Sequence, residues 1–238
     1  MKQKLKVGLV GASGRMGQEI TEILKTKTDM ELHLAVCRSA SLAEFAYTRP
    51  TPNCPEAKEV DIWIDFSSPE LLKKLLSVAM KNKAPVVSGT TGLTAADHAA
   101  LKRAAKSIPV LWASNMSLGV AVLAEALEVF SRIRSFDFQI EEFHHNRKKD
   151  RPSGTAKSLQ EKLEKAVGRK LPEPLSIRGG GIFGIHKIHA MAEEEHIVFE
   201  HMALNRAVFA RGAVEAAQWL CSKKKGFYSM RDVLYNEG

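Results

Sequence analysis

Long apolar runs are missing from this chain of 238 residues, and with them any segment fit to cross a membrane as a helix. The apolar stretch near the start, KVGLVG (6–11), is short and broken by glycine, and no small-residue cleavage site follows. It reads as a buried strand, not a signal peptide. Cysteine is scarce. Cys37, Cys54 and Cys221 are odd in number, scattered and without metal-ligand spacing. No metal is therefore expected, and the cysteines suit a reducing cytoplasm. Internal repeats and low-complexity tracts are absent too.

Acidic residues are outnumbered: 35 Lys/Arg face 27 Asp/Glu, for a net charge of +8. The most basic-looking stretch is EEFHHNRKKDRPSGTA (141–156), yet residues 116–206 hold 14 Lys/Arg against 13 Asp/Glu. That region is nearly balanced at +1, so +7 is spread over the remainder. A diffuse basic surface fits a protein that attracts small anions. Nucleic-acid binding also needs aromatic stacking positions or a recognition-helix motif, and neither is found. No nucleic-acid or membrane partner is expected.

What is present is an ordinary globular composition, 45% hydrophobic and 26% charged, on a chain long enough for one large α/β domain or two modest ones. Strands are predicted at 6–11, 32–37, 61–66, 85–89 and 109–114. Helical patterns fall between them at 15–26, after Ser68-Pro69-Glu70, and after a capping box at Thr94 and Asp97. In the second of these helices Leu71, Leu72, Leu75, Leu76 and Ala79 form one apolar face. Strand-helix alternation of this kind means a parallel sheet covered on both faces. After about residue 115 the pattern changes. A helix is predicted over 118–132, an alternating strand over 135–145, a helix over 154–167 ended by Gly168, and strands near 184–192 and 195–203. That is an α+β unit with an open, mixed or antiparallel sheet. Residues 207–220 are helical again, and Ser229 with Asp232 opens a last short helix.

Gly11, Gly14 and Gly17 follow the first strand at intervals of three. A strand turning into a helix there presents backbone N–H groups and the helix dipole to a pyrophosphate. Tight turns without a ligand are the alternative, since the spacing is not G-x-G-x-x-G. About twenty residues on, where a carboxylate would hold a ribose 2′-hydroxyl, the chain has Cys37, Arg38 and Ser39. An arginine and a hydroxyl suit a 2′-phosphate, so NADPH is preferred with NADH possible. The alternative leaves Arg38 as a surface residue.

In the strand 135–145, Phe136, Phe138, Ile140, Glu142 and His144 share one face, and Asp137, Gln139, Glu141, Phe143 and His145 the other. The paired histidines therefore point apart. Lys148 follows in a loop, and Pro152-Ser153-Gly154-Thr155 opens a helix whose first N–H groups and hydroxyls suit a carboxylate. A small substrate bearing carboxylates fits this stretch. A structural His-His pair with solvated Arg147, Lys149 and Arg151 is the alternative.

HHNRKKDRPSGTA resembles the signature of the dihydrodipicolinate reductase family, H-H-x-x-K-x-D-x-P-S-G-T-A, at every fixed position: His144, His145, Lys148, Asp150, Pro152, Ser153, Gly154, Thr155 and Ala156. GASGRMG (11–17), IDFSSPE (64–70), SGTTG (88–92), ASNMSLGV (113–120), RGGGIFGIH (178–186), Asn205-Arg206 and MRDVL (230–234) extend the likeness over nearly the whole chain. The resemblance implies an α/β fold. Residues 1–115 and 207–238 would form a Rossmann-like doubly wound dinucleotide-binding domain, and 116–206 an α+β substrate-binding and oligomerisation domain. It also implies a homotetramer built through the second domain's sheet, hinge closure on ligand binding, and a place in lysine and diaminopimelate synthesis. The implied reaction is NAD(P)H-dependent reduction of hydroxy-tetrahydrodipicolinate with loss of water.

The resemblance assigns catalysis to His144 and Lys148, and binding of the dicarboxylate to His145, Ser153, Gly154, Thr155 and Arg206. Toward the cofactor it points to Gly11, Ser13, Gly14, Arg15, Met16 and Gly17, then to Arg38, Ser39 and Phe66. Gly89, Thr90 and Thr91 follow, with Ala113, Ser114, Asn115 and Met116 near the nicotinamide. Only 22 residues separate Arg38 from Asp61, fewer than the family usually carries, so the helix there is expected to be short or missing. A different two-domain dehydrogenase of small carboxylates, or a non-enzymatic nucleotide sensor, are the rival readings. Neither has a use for PSGTA after HHxxK.

Overall fold

A computed structural model describes residues 4–37, 48–49 and 55–235. The chain divides into two compact units, one running to Ser117 and resuming at Phe209, the other Leu118–Val208.

The first unit alternates strand and helix: β1 (Leu5–Val10), α1 (Arg15–Thr26), β2 (Met30–Val36), β3 (Thr48–Arg49), β4 (Ile62–Asp65), α2 (Pro69–Asn82), β5 (Val86–Ser88), α3 (Ala95–Ala104) and β6 (Pro109–Trp112). Val7, Leu9, Val10, Ile62, Trp63 and Ile64 have no exposure, as expected of strands covered on both faces. Local chemistry starts the helices. Ser68 Oγ accepts the Leu71 N–H with Pro69 behind it, and Thr94 and Asp97 cap each other reciprocally. Lys73 reaches across from α2 to Asp97 at 2.7 Å and, with the Thr94 bonds, holds that carboxyl well below the usual range.

In the second unit, α4 (Leu118–Ala126) gives way to a 3-10 turn over Leu127–Arg132, where one continuous helix was expected. Then follow β7 (Asp137–His144), α5 (Gly154–Val167), β8 (Leu175–Arg178), β9 (Gly184–Met191) and β10 (His196–Ala203). Their order is β10-β9-β7-β8, with β7 and β8 parallel and the other pairs antiparallel. Ser153 caps α5 and Gly168, in the left-handed region at φ 77°, ends it. Phe138, Ile140, Ile188 and Ala190 pack one face against Leu127, Phe130, Leu159 and Leu163. The opposite face leaves Leu175, Ile177, Val198 and Met202 exposed.

The chain re-enters the first unit through α6 (Ala207–Leu220), and β11 (Gly226–Tyr228) and α7 (Met230–Tyr235) complete it. The seven strands are all parallel, in the order β11-β6-β5-β4-β1-β2-β3: a Rossmann-like doubly wound sheet. No strand was expected at β8 or β11. Both are short edge strands of three or four residues, too brief to establish a period.

Candidate active site

β1 lies between β2 and β4, so the crossovers leave it in opposite directions and a crevice opens at the carboxyl ends of these strands. Gly11 leaves β1 at φ +87°, and a Cβ there would sit 2.3 Å from the Phe66 carbonyl oxygen. Gly17, inside α1, lets the helix close on the turn. Its Cβ would fall 2.3 Å from Gly11 O and 2.5 Å from Ala12 O. Gly14 stands at the N-cap and gives no side-chain cap. The N–H groups of the first turn, Arg15 and Met16 among them, are thus left for an outside acceptor. Ser13, Gly14 and Arg15 are exposed beside them. This cradle fits a pyrophosphate.

The next loops at the same edge are held by Asp65, a residue the sequence reading passed over. It is fully buried at the end of β4. The Ser67 hydroxyl donates to its Oδ1, and the Ser88 and Thr90 hydroxyls donate to Oδ2 at 2.7 Å each. Burial pushes its pKa up against the pull of these three donors. Thr90, expected at the cofactor, turns its hydroxyl inward to Asp65, and its carbonyl accepts from Trp112 Nε1 at 2.9 Å. Gly89 sits under Phe66, where a Cβ would fall 2.2 Å from the ring. Thr91 and Ser114 are exposed. Ala113 N–H donates to Ser88 O, Asn115 Oδ1 accepts from Ser117 N–H, and Met116 is buried with its carbonyl against Gly212. Arg38 and Ser39 lie outside the described residues; of the segment between them and Asp61, the described part holds β3 and a 3-10 turn over Pro55–Glu59. Cys37, just before Arg38, is buried.

The second cluster forms at one end of the mixed sheet. Pairing puts Phe143 opposite Ile185, Met202 opposite Ile185 and His144 beside Arg178. The ends of β7, β8 and β10 and the start of β9 therefore share an edge. The alternation predicted for β7 is present: Phe138, Ile140, Glu142 and His144 are buried. His144 Nδ1 is hydrogen-bonded to Glu142 Oε2. Burial lowers the His144 pKa, as do Lys148 and Arg178, against the opposing pull of Glu142. The imidazole is neutral near pH 7. A Cβ on Gly184 would lie 3.1 Å from His144 Nε2, so this glycine keeps the far side of the ring clear. His186 packs edge-on to His144 with centroids 5.2 Å apart. Burial, then the charge of His144, lowers its pKa to about 3.

Lys148 is half-buried and pairs with Asp150 at 3.0 Å, whereas Arg147, Lys149 and Arg151 are exposed. Two of the groups expected to grip a carboxylate are committed within the protein. Ser153 N–H donates to Glu142 Oε1 at 3.1 Å, and Ser153 Oγ accepts from Ala156 N–H and lies 3.3 Å from His186 Nε2. Gly154 and Thr155 stand at the positively polarised start of α5. His145 N–H donates to Ile182 O. The guanidinium of Arg206 lies over the Phe183 ring in the same loop, 5.7 Å from its centroid. Glu142 and Arg178 are the members that sequence reasoning missed. Their only signals are a carboxylate on the buried face of a strand and an arginine before a run of glycines. Among the described residues, no group of three His, Cys, Asp or Glu is placed to hold a metal ion.

Comparison with known proteins covers both units. Residues 5–116 match the family model for dihydrodipicolinate reductase, N-terminus, and residues 119–234 that for its C-terminus. The 4-hydroxy-tetrahydrodipicolinate reductase of Bdellovibrio bacteriovorus is 56% identical over 235 residues, spanning 99% of this chain and 98% of that protein. The Zymomonas mobilis enzyme of the same name is 39% identical, spanning 98% of each. Among solved structures, the dipicolinate-bound dihydrodipicolinate reductase of Paenisporosarcina sp. TG-14 superposes with a TM-score of 0.79 at 19% identity. That match covers 95% of this chain and 98% of the other.

Proposed function

This chain belongs to the dihydrodipicolinate reductase family, and we propose that it reduces hydroxy-tetrahydrodipicolinate to tetrahydrodipicolinate, with loss of water, at the expense of NAD(P)H. The observation that carries the reading is the edge of the mixed sheet. It gathers an ammonium group and a helix N-terminus, both suited to a small dianion, beside an imidazole whose Nε2 can take part in proton transfer. Gly11, Ser13, Gly14, Arg15, Met16 and Gly17 would hold the pyrophosphate, with Phe66, Gly89 and Thr91 beside it and Ala113–Met116 toward the nicotinamide. When bound, the nicotinamide supplies a hydride to the ring carbon conjugated with the imine.

The chain's own groups handle charge and protons. Lys148, Arg206 and the start of α5 bind carboxylates, with His145 and Thr155 completing the contacts. Lys148 Nζ carries the proton that the reduced ring takes up. His144, neutral and anchored through Nδ1, presents Nε2 to accept a proton or a hydrogen bond. Ser153 supports the site from within, through its bonds to Glu142 and α5.

NADPH is preferred over NADH because Arg38 and Ser39, with no carboxylate nearby, suit a 2′-phosphate. The enzyme works in the cytoplasm. The exposed face of the mixed sheet, where Met202, Ile185, Phe143 and Ile177 line up across all four strands, joins copies into a homotetramer.

The test is NADPH oxidation with substrate made in situ by condensing pyruvate and aspartate semialdehyde. Wild type should be active. Lys148→Ala and His144→Gln should each lower kcat by ~10²–10⁴-fold with little change in NADPH affinity. Full activity in both variants refutes the assignment. Dipicolinate, a planar mimic of the substrate, should raise the melting temperature, which a mere nucleotide sensor has no reason to show.

A further inference from the structure

Glu142 has no exposure, and both of its oxygens are occupied. Oε1 accepts from Arg178 Nη2 at 2.6 Å and from Ser153 N–H at 3.1 Å. Oε2 accepts from Arg178 Nη1 at 2.8 Å and meets His144 Nδ1. Arg178 Nη2 also donates to the Asp150 carbonyl at 2.6 Å, in the turn that carries Lys148. One buried ion pair therefore touches the imidazole, the start of α5 and the lysine turn. Resting on the function proposed above, we infer that Glu142, held by Arg178, is the positioning residue of the site. It fixes His144 as the Nδ1-protonated tautomer, with the lone pair on Nε2 on the side that Gly184 leaves clear.

The direction of the Nδ1 bond follows from donor chemistry. An ionised carboxylate only accepts hydrogen bonds, so the imidazole nitrogen facing it must carry the proton. Burial alone would protonate Glu142, and a neutral carboxyl group can donate. The imidazole would then be free to take the opposite tautomer, with a hydrogen on Nε2. Arg178 prevents this. Its two-pronged contact, together with Ser176 and His144, overcomes the effect of burial and lowers the Glu142 pKa to about 2. The carboxylate stays ionised across the working pH range, and the tautomer stays set. Two other charged or titratable groups bear on His144. Lys148 opposes its protonation, and His186 stands neutral against its ring.

The first test needs no substrate. In the ¹⁵N-histidine spectrum of the full chain at neutral pH, with His144 identified by its loss in His144→Gln, its proton should reside on Nδ1. A proton on Nε2 overturns the inference. The second test is kinetic. Glu142→Gln keeps the size but not the charge, and should lower kcat by ~10²-fold or more with KM for NADPH unchanged. The limb of the pH–rate profile governed by His144 should move to lower pH, because the charge favouring imidazolium is gone. Wild-type kcat with an unmoved profile overturns it as well. Should Glu142→Gln fail to fold, Arg178→Lys preserves the charge but not the fork, and should show a mixed tautomer with intermediate kcat. A single Nδ1–H tautomer and unchanged kcat in that variant count against the inference. A wild type inactive in the reductase assay, yet showing the Nδ1–H tautomer, would defeat the proposed function alone.

Discussion

Replacing Asp65 separates two contributions that its burial combines. In Asp65→Ala the hydroxyls of Ser88 and Thr90, buried at 0% and 3% exposure, lose their acceptor. Each such orphan costs ~1–3 kcal/mol, so the variant should lose about 2–6 kcal/mol. Ser67 is only half-buried and can turn to water. Asp65→Asn keeps one oxygen for Ser88 and Thr90, while its amide can donate to a reversed Ser67 hydroxyl. It also removes the charge that burial disfavours, and should cost about 1 kcal/mol or less. Urea unfolding followed by tryptophan fluorescence reads this directly. Trp63, Trp112 and Trp219 are the chain's three tryptophans, and all lie in the first unit. With m of ~2 kcal/mol per molar urea, the midpoint should fall by roughly 1–3 M in Asp65→Ala and far less in Asp65→Asn. NADPH affinity should follow the same order, since Asp65 ties the loops bearing Phe66 and Gly89. Equal stability of Asp65→Ala and wild type, or an equal loss in both variants, refutes the hydroxyl-anchor reasoning.

Gly89→Ala puts a methyl group into the Phe66 ring and should weaken NADPH binding in calorimetry by roughly tenfold, at a cost of ~1–3 kcal/mol in stability; wild-type affinity would mean that Phe66 yields freely. Arg38→Ala should reduce the NADPH/NADH ratio of kcat/KM by roughly 10–100-fold, the worth of a charge-assisted phosphate contact, and an unchanged ratio ends the 2′-phosphate reading. Cys37→Glu would be a poorer test, because Cys37 is buried and a glutamate there would be costly in itself. His186 is neutral in the fold because burial holds its pKa near 3, below its unfolded value of 6.5. Its contribution is therefore complete above pH 6.5 and is lost as pH falls from 6.5 toward 3, at up to ~1.4 kcal/mol per pH unit. Protection factors for hydrogen exchange in β9 and α5 should fall below pH 6.5, and His186→Phe should flatten that dependence.

Much of the architecture was legible because it rests on local rules. The caps at Ser68, Thr94 and Ser153 are bonds over three residues, and Gly168 ends α5 through its own backbone freedom. The two-residue period of β7 sorted Glu142 and His144 onto the buried face before any partner was known. The signature from His144 to Ala156 is contiguous, so one turn and one helix start gather it.

What stayed hidden depends on pairing between distant segments. Glu142 and Arg178 are 36 residues apart, and only the parallel register of β7 and β8 sets the arginine beside His144. Asp65 and Thr90 meet because β4 and β5 are neighbours, which gives the Thr90 hydroxyl an internal partner that the sequence did not show. By itself the sequence determined the order of most elements, the faces of the longer strands and the chemistry at their ends. Which polar groups neutralise one another in the interior, and so which remain for a ligand, was decided by tertiary structure. The satisfaction of a buried charge is a property of its neighbours in space, not of its neighbours in the chain.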